Sequence, residues 1–392
     1  MMSNCSALIL AAGDGARMKT TIPYVMLKVL SRPMLGWVLS AVQKSGVAHI
    51  GTVVANRNNA VAQYVKNSSE IFEQSERKGT AHAVMQAIPF LEAHPTGNVI
   101  LLNGDMPFMD AGILRSAVSA HVHANNDVTV ITAHLENPFG YGRILRNYSD
   151  GSLKGILEER DASSQMKRIK EVSAGTYIFK VSALLRALQH IQLNQVGEYN
   201  LIDTIPYLLS IGGKADTFTA PDPDVVLGAN DRAQLYLLNC MARRKVLEMH
   251  REAGVNIPCA DGIMIDPEVE IGTDTTILPN TILQGAVHIG SHCHIGPNVL
   301  IADSTLGNAV QLRNVDCTGA SIGDNSFIGS FVHVRTGMEI GQNTFVENNV
   351  TFEAPVIIGN NVHVPAGTVV KENILANELT ISPDTETTLE FF

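Results

Sequence analysis

The residues with the clearest chemical meaning form a glycine-rich turn that follows a short apolar run. The sequence LILAAGDGARM occupies residues 8–18 and contains Gly13, Gly15 and Arg17. Glycine lets the backbone approach a ligand closely, and a turn after a strand can aim several N–H groups at phosphate oxygens. Arg17 adds a rigid, positively charged fork for a phosphate chain. The turn therefore indicates a nucleotide phosphate site, although a strand-to-helix turn that binds nothing can have the same pattern.

This turn lies in a part of the chain where β-rich runs alternate with helical stretches. The β-rich runs begin at Ala7, Gly51, Asn98, Asp127 and Gly175, and the helical stretches include 33–45 and 79–91. Such alternation predicts an α/β fold: a Rossmann-like domain with a mixed, mostly parallel sheet that binds ligands at the carboxyl ends of its strands. We place this domain at residues 1–229. A connecting helical arm follows at 230–255, helical over 230–253.

A repeat of different period begins beyond residue 255. Isoleucine precedes glycine at seven positions there, and five of them form two groups with steps of eighteen residues: Ile271 and Ile289, then Ile322, Ile340 and Ile358. Eighteen residues are three hexapeptides, each of which puts one aliphatic residue inward so that three short strands close a triangular coil. The pattern predicts a left-handed parallel β-helix of hexapeptide repeats at 256–392. Because flat coil sides offer apolar strips, we expect this domain to form a homotrimer.

Composition excludes several classes of partner. The formal net charge of −10 argues against binding to nucleic acid, which requires a basic face. No run of eighteen apolar residues could span a membrane, and the apolar stretch at 7–12 is too short for a signal peptide. The five cysteines never form a C-x-x-C pair, which is typical of reduced thiols. We expect a soluble cytoplasmic protein with no membrane partner.

The ordered motifs of the chain, from Ala7 to about Ser382, resemble those of the bifunctional GlmU family. They are LAAGDGARM (10–18), IPYVMLKVLSRPML (22–35), QSERKGTAHAV (74–84), LLNGDMPF (101–108), GYGRI (140–144), GILEERDA (155–162), EVSAGTYIF (171–179), GEYNLID (197–203) and GANDRAQL (228–235). Each motif alone is weak, but the ordered set is specific. The resemblance implies a Mg²⁺-dependent uridylyltransferase that converts UTP and N-acetylglucosamine 1-phosphate to UDP-N-acetylglucosamine and pyrophosphate.

The resemblance also implies roles for single residues. Arg17 and Asp105 would be catalytic, and Asp105 and Asn230 would hold the magnesium ion. The residues implied in nucleotide binding are Leu10, Ala11, Ala12, Gly13, Gln74, Gly79, Thr80, Asn103 and Gly104. Those implied in sugar binding are Gly142, Glu158, Ser173 and Asn230. Two of these residues could instead have purely structural roles, with Asp105 as a helix cap and Glu158 as a solvated carboxylate in the charged run 158–161.

Three positions of the first domain depart from the family pattern. Tyr24 stands where the family has a lysine that contacts phosphate, Ala16 replaces a threonine, and Ser173 replaces an asparagine near the sugar. The lost cation matters most, because charge stabilisation near a transferring phosphate is worth on the order of a hundredfold or more in rate. Lys28, four residues on, is a possible substitute.

The second domain departs further. FVHVRTG (331–337) matches the start of the family's acetyl-transfer region and keeps Arg335, but the stretch that should carry the catalytic histidine is missing. His333 and His363 lie in coils without that context, and we expect both to be structural or surface residues. General-base catalysis needs a histidine within hydrogen-bond reach of the substrate amine. We therefore expect the acetyltransferase activity to be absent.

Two alternatives to the uridylyltransferase stay open from the sequence. Tyr24 and Ser173 favour a catalytically weakened, nucleotide-sugar-binding pseudoenzyme. Ser173 also permits a pyrophosphorylase that acts on a different sugar 1-phosphate.

Overall fold

The computed structural model describes residues 2–377 of the 392-residue chain, which divides into two compact units between Leu238 and Asn239. This division falls within the helix Arg232–Glu252, which lies inside the stretch 230–253 that the sequence predicts to be helical. The end of the predicted β-helix domain, from residue 378 on, lies outside the described residues, as does Ser382.

The first unit is built on a mixed nine-stranded sheet, with a separate two-stranded hairpin of β2 and β3. The nine strands have the order β11-β7-β10-β6-β1-β4-β5, and β8 pairs with β10 and β9. The strands are β1 (Cys5–Ala11), β2 (Lys28–Val29), β3 (Arg32–Pro33), β4 (His49–Val54), β5 (Glu70–Glu73), β6 (Asn98–Asn103), β7 (Val128–His134), β8 (Arg143–Arg146), β9 (Leu153–Leu157), β10 (Glu171–Lys180) and β11 (Ala215–Thr219).

Strand β1 is central and runs parallel to both neighbours. Leu10 lies opposite Val53 of β4 on one side and Asn103 of β6 on the other. Alternate residues of β1 face two different cores, with Ile9 in one and Leu8 in the other, and both are fully buried. Burial on both faces explains why this strand is a continuous apolar run. The carboxyl ends of β1 and β6 consequently open onto one edge of the sheet.

Helices cover both faces of this sheet, and the last helix leads into the second unit. They are α1 (Met34–Ser45), α2 (Ala60–Val65), α3 (Thr80–Met85), α4 (Ile88–Ala93), α5 (Ala111–Ala124), α6 (Val181–Leu188), α7 (Thr204–Ser210) and α8 (Arg232–Glu252). The structure divides the helical stretch predicted at 79–91. It is two short helices, because the backbone leaves the helical region at Ala87 and Pro89 then starts a new first turn. Within residues 2–377, no helix is both long and apolar enough to cross a bilayer.

The second unit is the left-handed β-helix of hexapeptide repeats, made of short parallel strands stacked on three sides. The strands are β12 (Met264–Ile265), β13 (Glu270–Ile271), β14 (Thr276–Ile277), β15 (Thr281–Gln284), β16 (His288–Ile289), β17 (His294–Ile295), β18 (Val299–Ala302), β19 (Thr305–Leu306), β20 (Gln311–Leu312), β21 (Asp316–Thr318), β22 (Ser321–Ile322), β23 (Phe327–Ile328), β24 (His333–Val334), β25 (Glu339–Ile340), β26 (Phe345–Val346), β27 (Thr351–Phe352), β28 (Ile357–Ile358), β29 (His363–Val364) and β30 (Val369–Val370).

The strand register explains the break in the eighteen-residue repeat. On one side of the β-helix the inward residues stack in the order Ile271, Ile289, Leu306, Ile322 and Ile340. The two coils between Ile289 and Ile322 are shorter than the others, and Leu306 fills the inward position where no Ile-Gly pair marks it. The hydrophobic column is therefore continuous even though the sequence motif is not.

Asparagine ladders support the corners of the coils. Asn325, Asn343 and Asn361 have positive φ angles of 55–58°, a conformation that asparagine adopts more readily than other residues with a side chain. Each side-chain amide donates to the next asparagine Oδ1, at 3.2 Å for Asn325 to Asn343 and 3.1 Å for Asn343 to Asn361. The sharp turns thereby keep the polar side chains of successive corners bonded to one another.

A buried histidine makes the stability of the first unit depend on pH. His121 on α5 is wholly buried, with Nδ1 2.9 Å from Thr129 Oγ1 and Nε2 3.2 Å from Asn98 Oδ1. Burial lowers the pKa of His121 to about 4, and the charge of Lys180 lowers it further while Asp127 opposes the shift. The neutral ring is thus the form that fits the fold.

We predict that His121 by itself makes the first unit less stable as the pH falls from about 6.5 to about 4. In that window the unfolded chain binds the proton before the folded chain does, so the free energy of unfolding drops by about 3 kcal/mol at most. Trp37 is the single tryptophan, and its fluorescence during urea unfolding reports on this unit. His121→Gln should remove this contribution from the pH dependence, whereas His123→Gln, at an exposed position of the same helix, should leave it intact. Equal pH dependence in wild type and His121→Gln would contradict the assignment.

Candidate functional site

Two adjoining cavities lie at the carboxyl ends of β1 and β6, and Leu10, Thr80 and Asn103 line both. The larger cavity has a volume of about 380 Å³ and is lined by Leu10, Ala12, Gly13, Asp14, Tyr24, Gln74, Arg77, Gly79, Thr80, Ala83, Asn103 and Glu198. The smaller has a volume of about 130 Å³ and is lined by Leu10, Thr80, Asn103, Gly142, Ile156, Glu158, Ser173, Gly175, Tyr177, Asn200, Leu201 and Ile202. Shared walls make the pair suitable for one ligand of two parts, or for two ligands in contact.

The segment 74–80 forms one wall of the larger cavity and is held rigidly. Gln74 is buried, and its Nε2 lies 3.1 Å from both the Gly79 carbonyl and His82 Nδ1. Gly79 has a φ of +101°, and a Cβ there would lie 2.4 Å from the Tyr199 carbonyl oxygen. Glycine is required by that backbone contact, independently of any ligand. The Thr80 hydroxyl accepts from the Leu201 N–H at 3.0 Å, which fastens the segment to the neighbouring loop.

Tyr24 packs directly against the glycine-rich turn. A Cβ on Gly13 would lie 2.9 Å from Tyr24 Cε1, and one on Gly15, whose φ is +59°, would lie 2.4 Å from Tyr24 Cβ. The turn therefore needs its glycines to accommodate this ring. The Tyr24 hydroxyl donates a hydrogen bond to the Asp105 carboxylate, and burial raises the pKa of Tyr24 well above its usual range. Tyr24 is thus a neutral hydrogen-bond donor at this position.

Asp105 follows β6 and lies beside the loop that carries Asn230. A Cβ on Gly228 would lie 3.7 Å from Asp105 Oδ2, and Asn230 Oδ1 accepts from Arg17 Nη2 at 2.9 Å. Burial raises the pKa of Asp105 to about 6, although its own backbone and the Tyr24 hydroxyl act against the rise. Asp105 does not cap a helix, because the N-cap of α5 is Asp110.

Asp105 and Asn230 have the ligand chemistry that Mg²⁺ prefers. Magnesium takes oxygen ligands and is commonly held by one or two carboxylates together with substrate phosphates. Among residues 2–377 no group of three or more His, Cys, Asp or Glu side chains forms a complete protein cage for a metal. The pair therefore fits an ion that completes its coordination with phosphate oxygens and water.

The smaller cavity distinguishes two adjacent carboxylates. Glu159 Oε2 lies 2.6 Å from Nη2 of the buried Arg143, so this residue has a structural partner. Glu158 lines the cavity instead, and burial raises its pKa, with Arg160 opposing and Asp161, Glu198 and Asp203 adding to the rise. The alternative of a solvated Glu158 is therefore not what the structure shows. Ser173 also lines this cavity and is hydrogen-bonded to Tyr177.

Several residues that the resemblance implies line neither cavity. Ala11 is buried in the core, and the Gly104 N–H donates to the Leu10 carbonyl at 2.9 Å. These two positions shape the cavity wall through the backbone. Arg17 and Asn230 bond to each other and line neither cavity, and Asp105 lies against Gly228, two residues before Asn230. Lys28 pairs with Pro33 in the hairpin, and it is not among the residues that line either cavity.

Other lining residues were missed by reasoning from the sequence. Those with polar or charged side chains are Asp14, Arg77, Tyr177, Glu198 and Asn200. Arg77 and Glu198 belong to the quoted motifs 74–84 and 197–203, so the motifs located them without indicating that their side chains reach a cavity.

His333 and His363 have carboxylate partners on the preceding coil. His363 Nε2 lies 2.8 Å from Glu347 Oε1, and the other oxygen of Glu347 accepts from the Ala366 N–H at 3.0 Å. His333 is exposed, with Nδ1 3.8 Å from Asp316 Oδ2. His333, Asp316 and Arg335 are among the residues that line a surface cavity of about 310 Å³. Both histidines are thus paired with carboxylates of the β-helix, contacts that form without a substrate.

Comparison with known proteins gives two family matches and several close relatives. Residues 6–224 match the family described as Nucleotidyl transferase, and 268–303, 319–351 and 337–372 match Bacterial transferase hexapeptide (six repeats). The chain is 40% identical to the Bifunctional protein GlmU of Caldanaerobacter subterraneus subsp. tengcongensis over 85% of this chain and 72% of the relative. It is 38% identical to the Bifunctional protein GlmU of Carboxydothermus hydrogenoformans over 84% of this chain and 73% of the relative.

Proposed function

The chain belongs to the GlmU family and is a nucleotidyltransferase, and on that premise we propose that it makes UDP-N-acetylglucosamine and pyrophosphate from UTP and N-acetylglucosamine 1-phosphate. The observation that carries this proposal is the pair of cavities joined at Leu10, Thr80 and Asn103. UTP in the larger cavity and the sugar 1-phosphate in the smaller would meet at this junction. Positioning of two anions supplies much of the rate in such reactions.

The larger cavity has the groups to read uracil. The two contacts of the Gln74 amide both involve Nε2, which leaves Oε1 to accept the N3–H of uracil. Cytosine has no hydrogen at N3, so its N3 would be an acceptor facing the acceptor Gln74 Oε1. Both atoms would then lack a hydrogen-bond partner, which is costly. We therefore expect UTP to be preferred over CTP.

The transfer itself requires no covalent enzyme intermediate. A phosphate oxygen of the sugar 1-phosphate attacks the α-phosphorus of UTP, and the bond from that phosphorus to the oxygen bridging to the β-phosphate breaks, releasing pyrophosphate. Asp105 and Asn230 would hold Mg²⁺, whose chemistry is to bridge phosphate oxygens and stabilise their charge. Arg17, anchored on Asn230, would bind the triphosphate from the same side.

The sugar would lie in the smaller cavity. Glu158 accepts hydrogen bonds from sugar hydroxyls in this proposal, with Gly142 and Ser173 on the adjoining walls and Asn230 nearby in the loop that follows Gly228. A Cβ on Gly142 would lie 2.9 Å from Ile156 Cγ2, so glycine keeps this wall open. A protein of this kind would work in the cytoplasm, where UTP is available.

We further propose that acetyl transfer is lost and that the β-helix serves assembly. His363 bonds to Glu347 and His333 lies exposed beside Asp316, and neither belongs to the stretch that should carry the family's catalytic histidine, which this chain lacks. Exposed apolar residues such as Met264, Ile357 and Val369 follow the outer sides of the coils and suit contact with another copy of the chain.

Pyrophosphate release with Mg²⁺ tests the uridylyl transfer. We predict release with UTP and N-acetylglucosamine 1-phosphate, and at least a hundredfold slower release for Asp105→Asn, because one oxygen ligand loses its charge. Asp150→Asn, which changes an exposed carboxylate in the turn between β8 and β9, serves as the control and should stay near wild type. A panel of other sugar 1-phosphates and CTP identifies the substrate. Binding of UDP-N-acetylglucosamine without release from any pair would favour the pseudoenzyme.

An assay with acetyl-CoA and glucosamine 1-phosphate tests the loss of acetyl transfer. We predict no transfer above the rate without protein, since the stretch that should carry the catalytic histidine is missing from the chain. Transfer that disappears on His333→Ala, His363→Ala or Arg335→Ala would overturn the proposal.

Light scattering tests the assembly. We predict the mass of a trimer at micromolar protein, because the outward apolar residues would otherwise face water. Replacing Ile357 and Val369 by lysine should shift the mass toward the monomer. A monomeric wild type would contradict this assembly.

A further inference from the structure

We propose that Arg77 binds the nucleotide phosphates, and that the glycine-rich turn holds its guanidinium in place for that task. This inference rests on the proposed function, because it assumes that a nucleoside triphosphate occupies the larger cavity. Arg77 is the only cationic side chain among the described residues that line that cavity. A triphosphate needs several opposite charges or donors, and the lining also contains the carboxylates of Asp14 and Glu198.

The position of Arg77 is fixed by two contacts to the turn. Nε donates to the Ala12 carbonyl at 3.1 Å, and Nη1 donates to Asp14 Oδ2 at 3.1 Å. Both contacts join the segment 74–80 to the turn that follows β1. Among the residues that the structure describes, Nη2 has no hydrogen-bond partner. A guanidinium held in this way is oriented before the ligand arrives, which reduces the entropy lost on binding.

The contact with Asp14 leaves the charge of Arg77 usable. Both side chains are about half exposed, at 50% and 59%, and exposed ion pairs contribute little to stability because water screens them. A phosphate with two charged oxygens is a stronger partner for a guanidinium than one exposed carboxylate. Phosphate can therefore share or replace Asp14 at small cost.

The other side chains near the glycine-rich turn explain why the cavity depends on Arg77 for positive charge. Tyr24 faces the same turn but is neutral, and its hydroxyl is already donated to Asp105. Arg17 bonds to Asn230 and lies outside the lining. Within the cavity the positive charge is consequently supplied from the segment 74–80.

Lys78 offers a matched comparison. It is adjacent in sequence, has the same charge and is 51% exposed, but its Nζ is paired with Glu76 and it does not line the larger cavity. Removing its charge changes the net charge of the protein as much as removing that of Arg77. Comparing the two variants thereby separates the effect of a charge held at the cavity from a general effect of net charge.

The test compares ligands with and without phosphates on the full chain. UTP binding with Mg²⁺ is measured by calorimetry and uridine binding by ligand-observed NMR, for wild type, Arg77→Gln and Lys78→Gln. We predict that Arg77→Gln weakens UTP binding by about 10- to 100-fold and uridine binding by less than about twofold, since only UTP loses a charge-assisted contact. Lys78→Gln should change neither by more than about twofold. Arg77→Lys should keep part of the UTP affinity.

A second variant tests whether a cation at position 24 can replace the contribution of Arg77 to phosphate binding. The Tyr24→Lys variant has a cation at position 24, so Arg77→Gln should reduce UTP affinity less in that variant than in wild type. Equal loss of UTP and uridine binding in Arg77→Gln would show that the residue only holds the turn, and no loss of UTP binding would also overturn the proposal. Pyrophosphate release by wild type is scored separately: its absence contradicts the uridylyl transfer, while a phosphate-selective loss in Arg77→Gln would still support Arg77 as the phosphate ligand.

Discussion

The parallel pairing of β1 with β4 and β6 is the constraint on which the site depends. Because Leu10 lies opposite Val53 and Asn103, the chain leaves all three strands at one edge of the sheet. The Gly104 N–H then bonds to the Leu10 carbonyl and keeps the turns after β1 and β6 together. A slip of one residue would put Leu10 and Asn103 on the wrong faces and separate the walls that the two cavities share. Packing of the apolar strand on both faces makes such a slip costly.

On this frame the electrostatics of the site are arranged unusually. Burial disfavours the charged form of Asp105, and the neighbour that compensates is the neutral hydroxyl of Tyr24. A neutral donor stabilises a carboxylate less than a cation does, so Asp105 keeps a raised pKa of about 6. Tyr24, which stands where the family has a lysine, also puts an aromatic ring against the backbone of the glycine-rich turn. Binding of anions must then draw on cations outside position 24, and Arg17 and Arg77 are both anchored by oxygens close to the site.

Much of this arrangement could be predicted from local sequence, and the remainder depends on contacts between distant segments. The strand β1, its glycine turn and the motif from Gln74 to Thr80 follow from short-range chemistry. Short-range chemistry does not determine which of two adjacent charged residues reaches the site. Glu158 reaches a cavity while Glu159 pairs with buried Arg143, and Arg77 reaches the turn while Lys78 pairs with Glu76. In each pair the partner that decides the outcome lies far away in sequence. Arg143 is 16 residues from Glu159, and Ala12 and Asp14 are 65 and 63 residues from Arg77, so a charged run does not encode these contacts.

The β-helix shows why a solenoid can change its length without losing its architecture. Each coil contacts mainly the coils before and after it, so stability is close to a sum of neighbouring interfaces. Between Ile289 and Ile322 the corners lose residues, yet Leu306 keeps the inward column continuous and the strands stay paired. Whole coils can be lost by the same logic, because the coils on either side present equivalent edges to each other. Residues that act on a substrate are not protected by this tolerance, since they depend on particular coils. A fold of this kind can therefore retain its outer surfaces for assembly after the coils that carried a chemical step have gone.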